Sequence, residues 1–138
     1  MQQADCLFCK IITGEIPSFK VYEDNKTLAI LDIAPINKGH VLVIPKEHCV
    51  NILDIPDDLL TATILTVKKI SRALTQYSEG VNVMENVNKA GGQIIDHLHF
   101  HVIPRYLRDG LQLWKSQGGY AKEEALATMA TIRKLMKE

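Results

Sequence analysis

The chain has 138 residues, and its 16 basic and 16 acidic side chains leave no formal net charge at pH 7. That length suits one compact domain, and the balanced charge excludes the strongly basic surface of a general nucleic-acid binder. No apolar run approaches the ~20 residues of a membrane span, and the N-terminus lacks the pattern of a signal peptide. We therefore expect a cytoplasmic protein with neither nucleic acid nor membrane as a partner.

In chain order, the apolar patterns predict a short helix or turn, a hairpin, a third strand, a long helix, two further strands and a C-terminal helix. The corresponding ranges are 7–13, 19–23 with 27–32, 40–44, 60–77, 81–87, the segment around 97–102, and 126–136. The long helix is amphipathic, with Pro56 suited to its first turn and Gly80 to its end. These elements add up to an α+β domain with about five short strands.

Three of the five histidines lie on alternate positions in the stretch HLHFH, from His97 to His101. In a β-strand these imidazoles share one face, and the intervening apolar residues share the other, which suits the core. One interpretation is an amphipathic strand that carries histidines on its solvent side. The other is catalysis, because neutral imidazole is a nucleophile at pH 7 and its neighbours can hydrogen-bond phosphate oxygens. The preceding turn, Gly91-Gly92-Gln93, is predicted to offer backbone amides to an anion.

The stretch from His97 to His101 resembles the motif of the histidine triad (HIT) family, His-x-His-x-His-x-x with apolar x. Further matches occur in the family's order at CLFCKII (6–12), GEIP (14–17), DIAP (32–35), GHVLVIPKEH (39–48), GQ (92–93) and IPR (103–105). The resemblance implies a HIT-like α+β fold: a five-stranded antiparallel sheet with one long inserted helix and a C-terminal helix. It also implies a single HIT domain over residues 1–138.

The resemblance implies a nucleotide hydrolase or transferase. His99 would attack the α-phosphorus of a nucleoside phosphate, and water would then release a nucleoside monophosphate from the covalent nucleotidyl-histidine. His101 and His40 would orient the phosphate and stabilise its charge. The transferase branch of the family carries glutamine at the third triad position, so the histidine at position 101 favours a hydrolase.

The family's nucleotide-binding positions are also matched. Asp32 would bind the ribose hydroxyls, since two carboxylate oxygens suit a vicinal diol. The apolar positions that sandwich the base are matched by Leu7, Phe8, Ile11, Ile30 and Ile33, which without the resemblance are equally core residues. Asn86, Gly92 and Gln93 fall near the phosphate. Ile94 stands where a polar residue, often serine, contacts the leaving group, and this departure leaves the leaving-group preference open.

Cys6 and Cys9 form a Cys-x-x-Cys pair, which in a reducing compartment is more often a metal or redox motif than a disulfide. Two ordinary buried thiols are the alternative. The resemblance implies that His48 and His97 complete a closed Cys2His2 set for structural Zn²⁺, which would position the triad strand. Cys49 competes with its neighbour His48, but in an extended segment only one of the two can face the metal. We take His48 as the ligand and Cys49 as a buried apolar residue.

The leading functional hypothesis is a hydrolase of P–N or P–O–P bonds similar to the nucleoside phosphoramidases. A dinucleoside polyphosphate hydrolase and a zinc-stabilised nucleotide-binding module that regulates a partner remain alternatives. A DNA end-processing enzyme ranks last, because the chain lacks a basic patch and an added zinc finger. HIT proteins are typically homodimers, which the resemblance implies here. Trp114 either packs against its own domain or forms a substrate wall near a dimer partner.

Overall fold

The computed structural model describes residues 2–137 and contains one antiparallel five-stranded sheet with three α-helices. The elements are α1 (Leu7–Ile12), β1 (Lys20–Glu23), β2 (Thr27–Leu31), β3 (Val41–Pro45), α2 (Asp57–Leu74), β4 (Gly80–Met84), β5 (Phe100–Arg105) and α3 (Lys122–Met136). The strand order is β1-β2-β3-β5-β4. The helix α2 lies between β3 and β4 in the chain, before the two strands that complete the sheet. The predicted fold class is confirmed. Within the described residues, no helix is long and apolar enough to cross a membrane.

The third predicted strand and the triad strand differ from expectation at the point where they meet. Pro45 belongs to β3 instead of closing it, and β5 begins only at Phe100. Val43 is the last β3 residue that pairs with β5, opposite Phe100. Extending this register would bring Pro45 opposite Leu98, and proline has no N–H to donate to the ladder. Leu98 donates instead to the carbonyl of Cys49, at 2.7 Å, so the first two triad histidines precede the strand.

The sheet separates a large core from a smaller one. On one face, α2 packs against apolar side chains of the three central strands, and Leu98, Phe100 and Val102 all belong to this cluster. The predicted alternation of the triad stretch is therefore confirmed, although most of it lies outside a strand. On the other face, α1 packs Phe8 against the alternate residues of β2 and β3.

One row of paired residues crosses four strands on the α1 face of the sheet. Ile30 of β2 is opposite Leu42 of β3, Leu42 is opposite His101 of β5, and His101 is opposite Met84 of β4. Neighbouring strands are spaced by about 4.8 Å, so the row spans roughly 14 Å. Because its third member is a histidine, the row places the end of the triad in the middle of an apolar strip.

Gly39, which precedes His40, lies where the backbone is closely surrounded by other side chains. Its φ is +99°, and an added Cβ would overlap the Tyr77 hydroxyl and lie 3.4 Å from the Pro104 ring. Gly14 has a similar φ of +84° but open space around it. We expect Gly14→Ala to lower the free energy of unfolding by about 1 kcal/mol through backbone strain alone, and Gly39→Ala by about 2–3 kcal/mol. Urea unfolding measures both losses.

Replacing Tyr77 by Phe in the Gly39→Ala background should restore part of the loss, because it removes the overlapping hydroxyl. Equal losses for the two alanine variants would show that the packing around position 39 does not restrict it.

Candidate active site and metal centre

A cavity of about 440 Å³ opens on the α1 face of the sheet. Ten of the predicted site residues line it: Leu7, Phe8, Ile11, Ile30, Asp32, Ile33, Asn86, Gly92, His99 and His101. The predicted residues that do not line it are His40, which lies buried behind His101, Gln93, and the four predicted metal ligands. The lining is mostly apolar with a few polar groups, which is the usual composition of a small-molecule site.

His99 presents an unprotonated ring nitrogen to this cavity. Its Nδ1 lies 2.8 Å from the backbone carbonyl oxygen of His97, and a carbonyl only accepts, so Nδ1 carries the proton. The lone pair is therefore on Nε2. Burial, with the ring edge-on to Phe8, lowers the pKa of the His99 imidazole below its ordinary value. The ring is neutral at pH 7, as a nitrogen nucleophile must be.

His101 has the opposite tautomer, and a chain of hydrogen bonds sets it. The backbone N–H of Ile36 donates to Nδ1 of His40 at 3.2 Å, so His40 carries its proton on Nε2. That N–H donates to Nδ1 of His101 at 2.9 Å, which leaves the Nε2–H of His101 as a donor. Burial, reinforced by the neighbouring imidazoles, lowers the pKa of His101 to about 4. The cavity therefore holds the unprotonated ring nitrogen of one neutral imidazole beside the N–H of another.

Asp32 lies at the same end of the cavity as the imidazole pair. Its Oδ1 accepts the backbone N–H of Ala34 at 2.9 Å, and its Oδ2 lies 3.7 Å from Nε2 of His40. The remaining acceptor positions of the carboxylate can receive hydroxyl groups of a ligand.

The turn before the triad does not offer the anion-binding amides predicted from its glycines. The backbone N–H groups of Gly91 and Gln93 donate to the carbonyl of Asn88, and that of Gly92 donates to the carbonyl of Lys89. These bonds close the turn on itself, so the prediction of a backbone anion site there is wrong. Gly92 still lines the cavity, with a φ of +94°.

Gln93 is buried away from the cavity, where its side chain ties loops together. Its Nε2 donates to the carbonyls of Val50 and Ile95, at 2.6 and 3.1 Å. Its Oε1 accepts from the side chain of Asn51 and the backbone of Asn88. With both ends of the amide engaged by protein, the structure does not bring the side chain to the predicted phosphate position.

The predicted metal ligands converge beside the cavity. Nδ1 of His97 lies 3.3 Å from Sγ of Cys6, 3.5 Å from Sγ of Cys9 and 3.2 Å from Nδ1 of His48. Zn–N bonds of about 2.0 Å and Zn–S bonds of about 2.3 Å give tetrahedral edges of roughly 3.3–3.8 Å, close to these distances. The four residues therefore fit one tetrahedral metal ion. Cys49 is not part of the group.

The tautomer of His97 also suits a metal. Its Nε2 lies 2.9 Å from the carbonyl oxygen of Pro45, so Nε2 carries the proton and the Nδ1 lone pair faces the two sulfurs. Cys6 is also the N-cap of α1, and its Sγ accepts the backbone N–H of Cys9 at 3.3 Å. A second group, Asp32 with His40 and His101, also brings donor atoms within 4.8 Å of one another. There the His40 proton lies between the rings, so this group is a hydrogen-bond chain.

The family model for the HIT domain matches residues 13–107. The chain belongs to the HIT family. The adenosine 5′-monophosphoramidase HNT1 of Candida albicans is 48% identical to this HIT chain over 108 residues, which are 74% of this chain and 71% of the relative. Among solved structures, SMU.412c of Streptococcus mutans superposes with a TM-score of 0.89 at 38% identity, covering 99% of this chain and 88% of that one. A Zn-bound histidine triad family protein of Mycobacterium smegmatis has a TM-score of 0.76 at 34% identity, covering 96% of both chains.

Several groups around the HIT site were not found from the sequence. The carbonyl of Pro45 and the N–H of Ile36 fix ring tautomers, and backbone groups carry no sequence signal for such a role. Met84 lines the cavity because of its register opposite His101. Trp114 does not pack against the core: it is 83% exposed and lines a separate groove of about 800 Å³ along β4.

We expect the purified protein to carry about one divalent metal ion per chain, measured by elemental analysis. Replacing Cys6 and Cys9 together by serine should remove it and lower the melting temperature, because the ligands join three distant segments. Cys49→Ser is the matched control, a buried thiol outside the ligand group that should leave the metal content unchanged. A fully stable, metal-free wild-type protein would show that the two cysteines are ordinary core residues.

The neutral state of His101 predicts a specific pH dependence of stability. Its pKa is about 4 in the folded protein against 6.5 ordinarily, so between these values the unfolded chain binds more protons. The free energy of unfolding therefore falls as pH drops below 6.5. Between about pH 7.5 and about pH 5 this residue should account for a loss of about 1–2 kcal/mol in urea unfolding. The loss should be absent in His101→Gln; identical pH dependence in both proteins would contradict the assignment.

Proposed function

We propose that this protein is a nucleotide hydrolase that cleaves the P–N bond of nucleoside phosphoramidates and releases a nucleoside monophosphate. The observation that carries the proposal is the pair of opposite tautomers in one apolar cavity: the free Nε2 lone pair of His99 beside the Nε2–H of His101. The name of the Candida relative, an adenosine 5′-monophosphoramidase, supports the same bond type. The corresponding P–O–P cleavage of dinucleoside polyphosphates would use the same imidazoles but a different leaving group.

The nucleoside end of the substrate would lie against α1 and β2. Phe8, Ile11 and Ile30 offer apolar surface to a base, and Asp32 at the end of β2 offers carboxylate oxygens to the ribose hydroxyls. This placement brings the α-phosphate to the imidazoles of the triad. Because Asp32 contacts the ribose equally in the ground and transition states, it contributes to affinity more than to turnover.

The chemistry would proceed in two displacements at phosphorus. In the first, the lone pair of His99 Nε2 forms an N–P bond, and the electrons of the substrate's P–N bond leave with the amine. The amine takes a proton from solvent as it leaves, while the Nε2–H of His101, oriented by the hydrogen bond with His40, donates to a phosphate oxygen. In the second, a water oxygen attacks phosphorus, its proton is released to solvent, and the bond to His99 breaks.

We propose Zn²⁺ as the ion held by Cys6, Cys9, His48 and His97. Two thiolates and two imidazoles in a closed tetrahedral set are typical of structural zinc, and the Mycobacterium smegmatis neighbour is Zn-bound. With its ring on the metal, His97 would exchange no protons. Its role is positional, because its backbone carbonyl holds the proton on Nδ1 of His99.

We also propose that residues 1–138 form a single HIT domain that works as a homodimer in the cytoplasm. Within the described residues β4 is a terminal strand of the sheet, paired only with β5. The helix α3 exposes Leu126, Met129 and Ile132 on one face. A second copy would cover such surfaces, and the molecular mass in solution tests this.

The decisive variant is His99→Ala. Losing the nucleophile should raise the activation barrier by roughly 5 kcal/mol or more and so lower kcat, while the affinity for a nucleoside monophosphate changes little. His101→Gln is the matched control, because its amide can still donate to the phosphate and leaves the nucleophile in place. Steady-state hydrolysis of an adenosine phosphoramidate and calorimetric binding of AMP measure the two effects. Turnover near that of the wild type in His99→Ala would exclude the proposed mechanism.

A further inference from the structure

The two cysteines of the metal group differ in exposure to solvent. Cys9 is buried, with 2% of its surface exposed, whereas Cys6 is only partly buried. Both are free thiols, as is the third cysteine of the chain, Cys49. A small oxidant in solution therefore meets the sulfur of Cys6 first, and the sulfur of Cys9 lies next to it.

The spacing of this pair suits a disulfide. Cys6 is the N-cap of α1, and Cys9 lies three residues later, in the first turn. Residues three apart in an α-helix have Cα atoms about 5 Å apart, and a disulfide spans about 4.4–6.8 Å between Cα atoms. The ligand atoms of the metal group, which include both sulfurs, all lie within 4.8 Å of one another. Rotation of the two side chains is therefore enough to bring the sulfurs into bonding distance.

Backbone groups hold both sulfurs at this place. The N–H of Cys9 donates to Sγ of Cys6, and the N–H of Gln3 donates to Sγ of Cys9, each at 3.3 Å. The two sulfurs are thus kept together at the start of α1 by the same short segment of chain.

Cys49 is kept apart from this pair by its place in the core. It packs in the apolar cluster against α2, whereas Cys6 packs against the cluster on the α1 face. Its carbonyl accepts the N–H of Leu98 at 2.7 Å, and its sulfur does not belong to the metal group. The chain therefore contains a buried thiol that serves as an internal control for the other two.

We propose that Cys6 and Cys9 are an oxidation site, at which a peroxide closes a disulfide and thereby releases the metal ion held with His48 and His97. A thiolate is the form of cysteine that binds a metal, and a disulfide offers no thiolate. Oxidation therefore leaves only the two imidazoles of a set that needs four ligands. This inference goes beyond the proposed hydrolysis and does not depend on it.

The oxidation takes two steps. The sulfur of Cys6 attacks one oxygen of hydrogen peroxide, the O–O bond breaks, and a sulfenic acid forms at Cys6 while the other oxygen leaves as water. The sulfur of Cys9 then attacks the sulfur of Cys6, the S–O bond breaks, and a second water leaves. Two electrons pass from the sulfurs to the peroxide. The thiols supply the two protons, or solvent supplies them where a metal ion has displaced them.

The test treats the zinc-loaded protein with an excess of hydrogen peroxide and follows three quantities. A chromogenic chelator measures released Zn²⁺, a thiol titration counts free cysteines, and mass spectrometry locates the change in tryptic peptides. Peptide 1–10 contains Cys6 and Cys9, and peptide 47–68 contains Cys49. We expect loss of two of the three thiols, release of one ion per disulfide, and a peptide 1–10 that is lighter by two hydrogen atoms. A dithiol reductant with added Zn²⁺ should reverse all three changes.

Single variants separate the roles of the two thiols. In Cys9→Ser the sulfenic acid at Cys6 has no partner and should be trapped by a 1,3-diketone such as dimedone. In Cys6→Ser the buried Cys9 should give no such adduct. Cys49→Ser is the matched control, and it should lose both of its remaining thiols at the rate of the wild-type protein.

Oxidation of peptide 47–68 ahead of peptide 1–10 would overturn the inference. So would a disulfide in peptide 1–10 with Zn²⁺ retained by the protein. Equal diketone adducts in Cys9→Ser and Cys6→Ser would overturn it as well, because exposure would then not decide which sulfur reacts. Each of these results leaves the proposed hydrolysis standing.

Discussion

The hydrogen bond from Nδ1 of His99 to the carbonyl of His97 is the contact on which the site depends. It fixes the tautomer that leaves a lone pair directed to the cavity. The residue that supplies the carbonyl is itself held at two other points, by Pro45 through Nε2 and by the metal group through Nδ1. A mobile His97 would let the His99 ring rotate or change tautomer. The four residues that could hold a metal ion thus act on the cavity through His97, whose carbonyl fixes the ring of His99.

The second constraint is that the two cavity imidazoles must differ. Two neutral rings with the same tautomer would present two lone pairs or two donors to a phosphate, and only one of each is useful. The structure obtains the difference from the backbone, since a carbonyl fixes His99 and the Ile36 amide fixes His101 through His40. Burial then keeps each ring neutral.

The sequence predicts those parts of this arrangement that depend on the local periodicity of apolar residues and on the chemistry of single side chains. The alternation around the triad, the long helix and the grouping of the two cysteines with His48 and His97 follow from spacing together with the family resemblance. What it does not predict are tertiary hydrogen bonds. Gln93 matches a conspicuous motif position, yet Val50 and Asn51, more than forty residues away, engage its side chain. The start of β5 depends likewise on a proline in another strand.

Cys6 connects the group that could hold a metal ion with the cavity. Its sulfur belongs to the metal group and also caps α1, the helix whose Leu7 and Phe8 line the cavity. Any free energy that a bound metal ion contributed to ordering this helix turn would be available to a nucleoside that packed against it. Linkage would make such an effect reciprocal, so a nucleotide in the cavity would raise the affinity of the site for the ion by the same factor. Chelator resistance in the presence of nucleotide would thus report on heterotropic cooperativity across a single helical turn.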